Sequence, residues 1–316
     1  MGLDTTQRGV ELPALPRLTT TVPKEYVHRA SLAEVFLTGC TERDDQRFSL
    51  TGQWPRAHTL FNGTDGNRHD PLQVAETFRQ AGMFLAHAEL GVPLSHRFVL
   101  WNLSYTTYLP ELRITSSPTD FQLDARATEI TWRRGMAGWL RLELSIRRDG
   151  ILVANGAGSF SSIPPAVYTR LRSNHQAWSG APFDLRGDRA PLAPVTVGRT
   201  ARTDVVLSAT DSPTRWLLTP DLDHPIFFDH TDDHLPGMVL LEGARQAAST
   251  LVAPHRMVPA NASTDFFRYA ELDRPCWIEI ARVSPESNGL MTVEVVAEQD
   301  GERVFSSTIT GPVDQA

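Results

Sequence analysis

Six residues recur at one fixed spacing of 166 positions: His58 with His224, Phe61 with Phe227, Glu76 with Glu242, Arg79 with Arg245, Gln80 with Gln246 and Ala81 with Ala247. The polar pairs are types that move protons or hold anions: an imidazole, a carboxylate, a guanidinium and a carboxamide. No gap is needed to superpose the two stretches, so the chain reads as a duplicated unit. Polar residues kept in both copies are the first candidates for chemistry.

Each candidate has two readings. Glu76 and Glu242 fall among apolar residues, where burial raises a carboxyl pKa toward neutrality and suits it to proton transfer. Alternatively, each pairs with the arginine three residues on and satisfies a buried charge. Arg79 and Arg245 then either grip a phosphate through paired N–H groups or complete that couple. Gln80 and Gln246 touch a ligand or tie a helix to neighbouring backbone. His58 and His224 act as general bases or cap a turn. His224, Asp229, His230, Asp233 and His234 crowd together in a way that invites a metal. They lack a third ligand downstream of a helical histidine pair, and the first copy has no such cluster, so no metal or cofactor is expected. Asp233 and His234 are expected to shape a loop over a helix start.

These residues need elements to position them. Over 72–88 and 238–252, residues at i, i+3 and i+4 are apolar or small on nearly all sides, which marks buried helices. Asp70-Pro71 and Pro236-Gly237 open them, and Gly91, Pro93 and Pro254 close them. Ahead of the helices, V-H-R-A-S-L-A-E-V-F-L-T (27–38) matches V-G-R-T-A-R-T-D-V-V-L-S (197–208) at a spacing of 170, with His28 opposite Gly198. R-F-S-L-T-G-Q-W (47–54) alternates as a strand and has T-R-W-L-L-T-P (214–220) as its partner. Behind the helices, strands are expected at 98–108, 129–131, 140–147 and 151–160, and again at 266–272, 277–283, 291–299 and 302–310. Asp149-Gly150 and Asp300-Gly301 are equivalent hairpin turns. The fold class is α+β, each half a long buried helix wrapped by an antiparallel sheet. The expected division is an N-terminal arm over 1–22, a first domain over 23–163, a linker over 164–195 and a second domain over 196–316.

Bulk composition narrows the function classes. The 316 residues are 41% hydrophobic and 21% charged, with a net charge of −7. That balance leaves no overall basic footprint for nucleic acid. No apolar run approaches the roughly 18 residues of a membrane span, and the N-terminus shows no secretory signal. Two cysteines in non-equivalent places, Cys40 and Cys276, read as reduced thiols in cytoplasm. Lys24 is the sole lysine, so a second lysine for Schiff-base chemistry is excluded. Arginine in its place suits fixed recognition of carboxylate or phosphate, or reflects genome composition.

The helix P-G-M-V-L-L-E-G-A-R-Q-A resembles that of the hot-dog acyl-thioester enzymes. The full pattern is closer to the A-factor biosynthesis family of actinomycetes. The resembling stretches are V-H-R-A-S-L-A-E-V-F, H-D-P-L-Q-V-A-E-T-F-R-Q-A, H-P-I-F-F-D-H-T-D-D-H-L-P-G-M-V-L-L-E-G-A-R-Q-A and F-x-R-Y-A-E-L-D-R-P-C-W. The likeness is colinear and spans nearly the whole chain. It implies a tandem double hot-dog. It also implies transfer of a β-ketoacyl group from an acyl carrier protein thioester to the hydroxyl of dihydroxyacetone phosphate, toward a γ-butyrolactone, furan or butenolide signal.

That reaction needs a polarised thioester carbonyl, a base for the alcohol, a phosphate grip and a greasy channel. The free N–H groups of Gly237 and Met238 at a helix start suit the carbonyl. Pro71 occupies the Gly237 position in the first half and has no N–H, so the second helix start is the better thioester site. Glu242 or Glu76, or His224 or His58, would take the proton, and Arg245 or Arg79 the phosphate. Two competing functions stand beside this one: a dehydratase or thioesterase on the same scaffold, and a non-catalytic binder of acyl thioesters or of the signal.

Overall fold

A computed structural model describes residues 19–44, 46–173, 189–230, 233–286 and 289–314. Most of the expected N-terminal arm and the middle of the expected linker lie outside the described residues. The first half contains β1 (Leu37–Asp44), β2 (Arg47–Trp54), α1 (Pro71–Ala88), β3 (Arg97–Thr107), β4 (Thr119–Arg133), β5 (Met136–Arg148) and β6 (Ile151–Ile163). A short helix α2 (Pro165–Arg172) follows. The second half contains β7 (Leu207–Ser208), β8 (Arg215–Leu218), α3 (Gly237–Thr250), β9 (Arg256–Met257), β10 (Asn261–Phe266), β11 (Trp277–Pro285), β12 (Leu290–Gln299) and β13 (Glu302–Asp314).

The strands form one antiparallel sheet in the order β1-β2-β4-β5-β6-β3-β10-β13-β12-β11-β8-β7, with β9 beside β13. The order is the same from either edge once each strand is exchanged for its counterpart. The seam is β3 against β10, which pair from Asn261 opposite Thr106 to Asp265 opposite Asn102. The α+β double hot-dog expected from the sequence is therefore the observed architecture: two helices, each cradled by half of a continuous sheet. The Asp-Gly turns match as well, with φ of 51° and 80° at Asp149 and Gly150 and of 51° and 75° at Asp300 and Gly301.

Both helices are buried around most of their circumference, as their lack of a polar stripe predicts. Phe78, Ala81 and Leu85 on α1, and Val239, Ala244 and Ala247 on α3, are in the core. Small residues let sheet and helix approach closely. A Cβ on Gly156 would lie 2.1 Å from the Ser104 carbonyl oxygen, so no side chain fits where β6 runs along β3.

Two strand expectations need correction. The segment 266–272 is mostly loop, and the strand precedes it as β10. Its buried face is made of Ala262 and Thr264, too small and polar to stand out as an apolar run. The expected 129–131 strand is the tail of the longer β4, whose Phe121, Leu123, Ala125 and Ala127 alternate inward. The segment after residue 163 also carries α2, a helix the sequence reading assigned to linker.

Candidate active site

Each helix carries a carboxylate that is fully buried and saturated by cations. Glu76 accepts from Arg79 Nε at 2.7 Å and Nη2 at 2.8 Å, from Arg29 Nε at 3.0 Å and from Gln80 Nε2 at 2.8 Å. Glu242 repeats the pattern, accepting from Arg245 Nε at 2.9 Å and Nη2 at 2.7 Å, Arg199 Nε at 2.8 Å and Gln246 Nε2 at 2.6 Å. The expected upward shift of both carboxyls is not found. Burial pushes Glu76 upward, but Arg29 and Arg79 outweigh it and hold the group down at about 2. Arg199 and Arg245 likewise hold Glu242 well below the carboxylate range against the same burial. A carboxylate so placed anchors guanidiniums rather than accepting a proton.

The second arginine of each network was not among the sequence candidates, although Arg29 and Arg199 coincide at the 170 spacing. Both reach across the molecule. Arg29 Nη1 donates to the Ile226 carbonyl at 2.8 Å and lies 3.4 Å from Asp229. Arg199 Nη1 donates to the Leu60 carbonyl at 2.6 Å and to Asp70 at 3.0 Å. One buried arginine from each half thus ties it to the segment that precedes the other half's helix.

The paired histidines and glutamines are structural ties. His58 Nδ1 accepts from the Leu60 and Phe61 N–H groups, and Nε2 donates to Glu34 at 3.2 Å. His224 does the same with Ile226, Phe227 and Asp204 at 3.1 Å. Both ring nitrogens are occupied in each case, which fits the turn-capping reading and leaves neither for a substrate. Gln80 bridges Glu76 to the Phe36 N–H and the Glu34 carbonyl, and Gln246 bridges Glu242 to Val206 and Asp204.

The cavity that could hold a substrate lies between the halves and encloses about 870 Å³. Its deep wall is apolar, with Phe78, Leu142, Leu144, Phe160, Leu240 and Leu241. The start of α3 opens into it at Gly237 and Met238. Val239 and Leu240 N–H groups bond back to the Pro236 carbonyl, whereas those of Gly237 and Met238 meet no protein acceptor among the described residues. The start of α1 differs: Asp70 caps the Leu72 N–H at 2.9 Å and Pro71 has no N–H. The site therefore pairs the second half's helix start with Arg79 and Arg29 of the first half.

Two imidazole systems face this cavity. His230 Nδ1 lies 2.6 Å from Asp229, whose side chain is 2% exposed and also accepts the Ala30 N–H at 2.9 Å. Burial favours the neutral acid, but the His230 contact and Arg29 keep Asp229 ionised. Nδ1 therefore donates, so in the neutral ring Nε2 is the acceptor. In the second system, His87 Nδ1 lies 2.8 Å from the Val92 carbonyl, which only accepts. His87 Nε2 must then accept from His28 Nε2 at 2.8 Å, leaving His28 Nδ1 as an acceptor. Burial, with His87 and Arg79 nearby, lowers the His28 pKa to about 3, so this ring is neutral. His28 adopts a φ of 52°, and its counterpart Gly198 a φ of 64°.

Arg79, Arg97, Arg133 and Arg268 also line the cavity, and no aspartate or glutamate does among the described residues. Among the described residues, Arg79 Nη1 has only Met83 Sδ as its acceptor, a weak partner that an anion would displace. Asp233 ties the loop before α3 to α2, with His234 beside it. Asp233 accepts from Tyr168 at 2.6 Å and Arg172 at 3.1 Å, and from His234 Nδ1 at 2.8 Å. Arg172 adds a bidentate pair with Glu271 at 2.6 and 2.7 Å. Each histidine of the sequence cluster thus has its own carboxylate, and no metal-sized grouping forms among the described residues.

The family model described as the A-factor biosynthesis hotdog domain matches residues 10–164 and 181–313. A relative from Streptomyces virginiae named 2-oxo-3-(phosphooxy)propyl 3-oxoalkanoate synthase is 43% identical over 92% of this chain and 98% of its own. One of the same name from Streptomyces coelicolor is 37% identical over 96% of this chain and 94% of its own. Among solved structures, a 12:0-ACP thioesterase from Umbellularia californica superposes with a TM-score of 0.50 at 10% identity, covering 84% of this chain and 94% of its own. That likeness carries the fold alone.

Proposed function

The chain belongs to the A-factor biosynthesis hotdog family, and on that premise we propose that it joins a 3-oxoacyl group to dihydroxyacetone phosphate. The product is the ester that the relatives' name describes. We assign the reaction to the larger cavity, with an acyl carrier protein as the thioester donor. One observation carries this reading. A helix start with unbonded N–H groups, an aspartate-backed imidazole and several guanidiniums share one greasy cavity.

In this scheme the acyl chain lies along the apolar wall, and the thioester oxygen sits at Gly237 and Met238. His230 Nε2 takes the hydroxyl proton as the alcohol oxygen attacks, and Asp229 stabilises the imidazolium. Negative charge collects on the former carbonyl oxygen, where the helix start favours it. Collapse breaks the C–S bond, and His230 returns its proton to the leaving thiolate. Arg79 and Arg97 take the phosphate, with Arg133 and Arg268 nearer the carrier protein. Glu76 and Glu242 hold the arginines, so their part is positional, as is that of Gln80 and Gln246. Among the described residues, no helix is long and apolar enough to cross a membrane. Cys40 and Cys276 form no disulfide among the described residues, and we place the site of action in the cytoplasm.

The test is incubation with a 3-oxoacyl carrier protein, with and without dihydroxyacetone phosphate, followed by mass spectrometry. Ester formed only with the phosphate supports the proposal. Free acid in both arms identifies a thioesterase, an enoyl thioester a dehydratase, and unchanged thioester a binder. Each of those three outcomes overturns it.

A further inference from the structure

A second cavity of about 540 Å³ lies at the start of α1. It is the pseudo-twofold mate of the first, and its wall carries the first cavity's positions in altered form. Arg245 stands for Arg79, but Gly198 replaces His28, Gly63 replaces Asp229, Thr64 replaces His230 and Arg68 replaces His234. The acid–base groups are gone, and Pro71 removes the helix-start N–H. Cations have been gained at Arg68 and, from β9, at Arg256.

One donor on a buried side chain is left over. Arg245 is 7% exposed, and its Nε and Nη2 are taken by Glu242 and the Val197 carbonyl. Its Nη1 meets no protein acceptor among the described residues. In the first cavity Met83 covers the equivalent nitrogen. Here Ser249 holds that place, and its hydroxyl turns to the Arg245 carbonyl. A Cβ on Gly198 would sit 3.2 Å from Nη1, so glycine keeps this donor open to the cavity. Asp70 is engaged by Arg199, and Asp65 lies 3.6 Å from Arg68. Arg256 Nη1 donates to the Thr64 hydroxyl. Counting Arg68, Arg199, Arg245 and Arg256 against Asp65, Asp70 and Glu242, the site carries a net positive charge.

We infer that this second cavity is a non-catalytic site for a small phosphate-bearing anion, held by Arg245 Nη1 between Arg68 and Arg256. Guanidiniums recognise phosphate through charge-assisted N–H bonds, and among the described lining residues no histidine stands here, while Asp70 and Asp65 lie against Arg199 and Arg68. The ligand is either a phosphate monoester or inorganic phosphate.

Calorimetric titration of the full chain tests the inference, with glycerol 3-phosphate in one arm and inorganic phosphate in the other. Binding in both arms means that the site reads the phosphate group, and binding of the ester alone means that it reads the ester. In either case the Arg68→Ala/Arg256→Ala variant should weaken that binding by about tenfold or more. Gly198→Asn tolerates the positive φ but covers Nη1, and should weaken it too without changing charge. Binding that is absent, or unchanged in both variants, overturns the inference. The readout is binding, so it stands or falls separately from the transferase assay.

Discussion

Glu76→Gln removes one buried negative charge while keeping the side chain's shape. Arg29, with a side chain 5% exposed, is left with Asp229 at 3.4 Å, and the new amide places N–H groups against a guanidinium. Removing one partner of a buried ion pair costs about 3–5 kcal/mol. Arg79 can turn partly to water, since its side chain is 17% exposed, which favours the lower end of that range. The carboxyl's fall from 4.5 to about 2 on folding gives a similar figure, roughly 3 kcal/mol. Urea denaturation followed by tryptophan fluorescence should show that loss. A second arm adds Arg29→Met, which removes the stranded cation. The double variant should be more stable than the sum of the single changes implies, by roughly 1–3 kcal/mol. Because Arg29 also holds Asp229 behind His230, ester formation should fall with the loss of order, and the double variant, which lacks that hold altogether, should regain stability without regaining activity. A Glu76→Gln protein with an unchanged urea midpoint and no transferase activity would refute the reasoning, because it would make Glu76 a proton carrier.

Four further outcomes follow from the same geometry. Glu76 has a depressed folded pKa, so its stabilisation is complete above 4.5 and is lost as pH falls toward about 2. The urea midpoint should hold steady down to about pH 5 and then decline, and a decline beginning near neutrality would contradict the assignment. His230→Ala should lower kcat by about 10²–10⁴-fold at an unchanged melting temperature, since the side chain is 41% exposed; an unaltered kcat would remove it as base. Gly237→Pro copies the first half's helix start; proline suits that helix position, and the Phe266 ring, 3.1 Å from where a Cβ would sit, has to shift by a few tenths of an ångström. The substitution should lower kcat by roughly 10²–10³-fold, and single-turnover rates would expose an error. Arg172→Ala breaks the hold on Glu271 and Asp233, so amide hydrogen exchange over 165–172 should speed up, and unchanged protection would mean that α2 is held by its apolar face.

The fold was legible because its signals are local. The two helices lack a polar face, the Asp-Gly turns demand positive φ, and R-F-S-L-T-G-Q-W alternates along its whole length as β2. Strand β10 was not legible, because small residues such as Ala262 and Thr264 form its buried side. The site was legible only in part. Glu76, Arg79 and Gln80 stand within one helical turn, so the spacing of the repeat exposed them. The Arg29–Glu76 contact joins residues 47 positions apart, and Arg29 to Ile226 spans 197. Contacts that distant leave no periodic trace. Only the coincidence of Arg29 with Arg199 hinted at the network.

The duplication also inverts the rule by which its residues were first ranked. A residue kept in both halves is one that neither half can lose. Glu76 and Glu242, with their arginines and glutamines, qualify on stability alone, because breaking either network strands a buried charge. The groups we propose for the chemistry face a different constraint. Asp229, His230 and Gly237 line or back one cavity, and their counterparts Gly63, Thr64 and Pro71 line the other. Two cavities related by symmetry need only one set of acid–base groups, so the second set could be lost at little cost to folding. In a duplicated enzyme whose sites lie between the halves, residues shared by both copies mark the frame, and differences between the copies mark the chemistry.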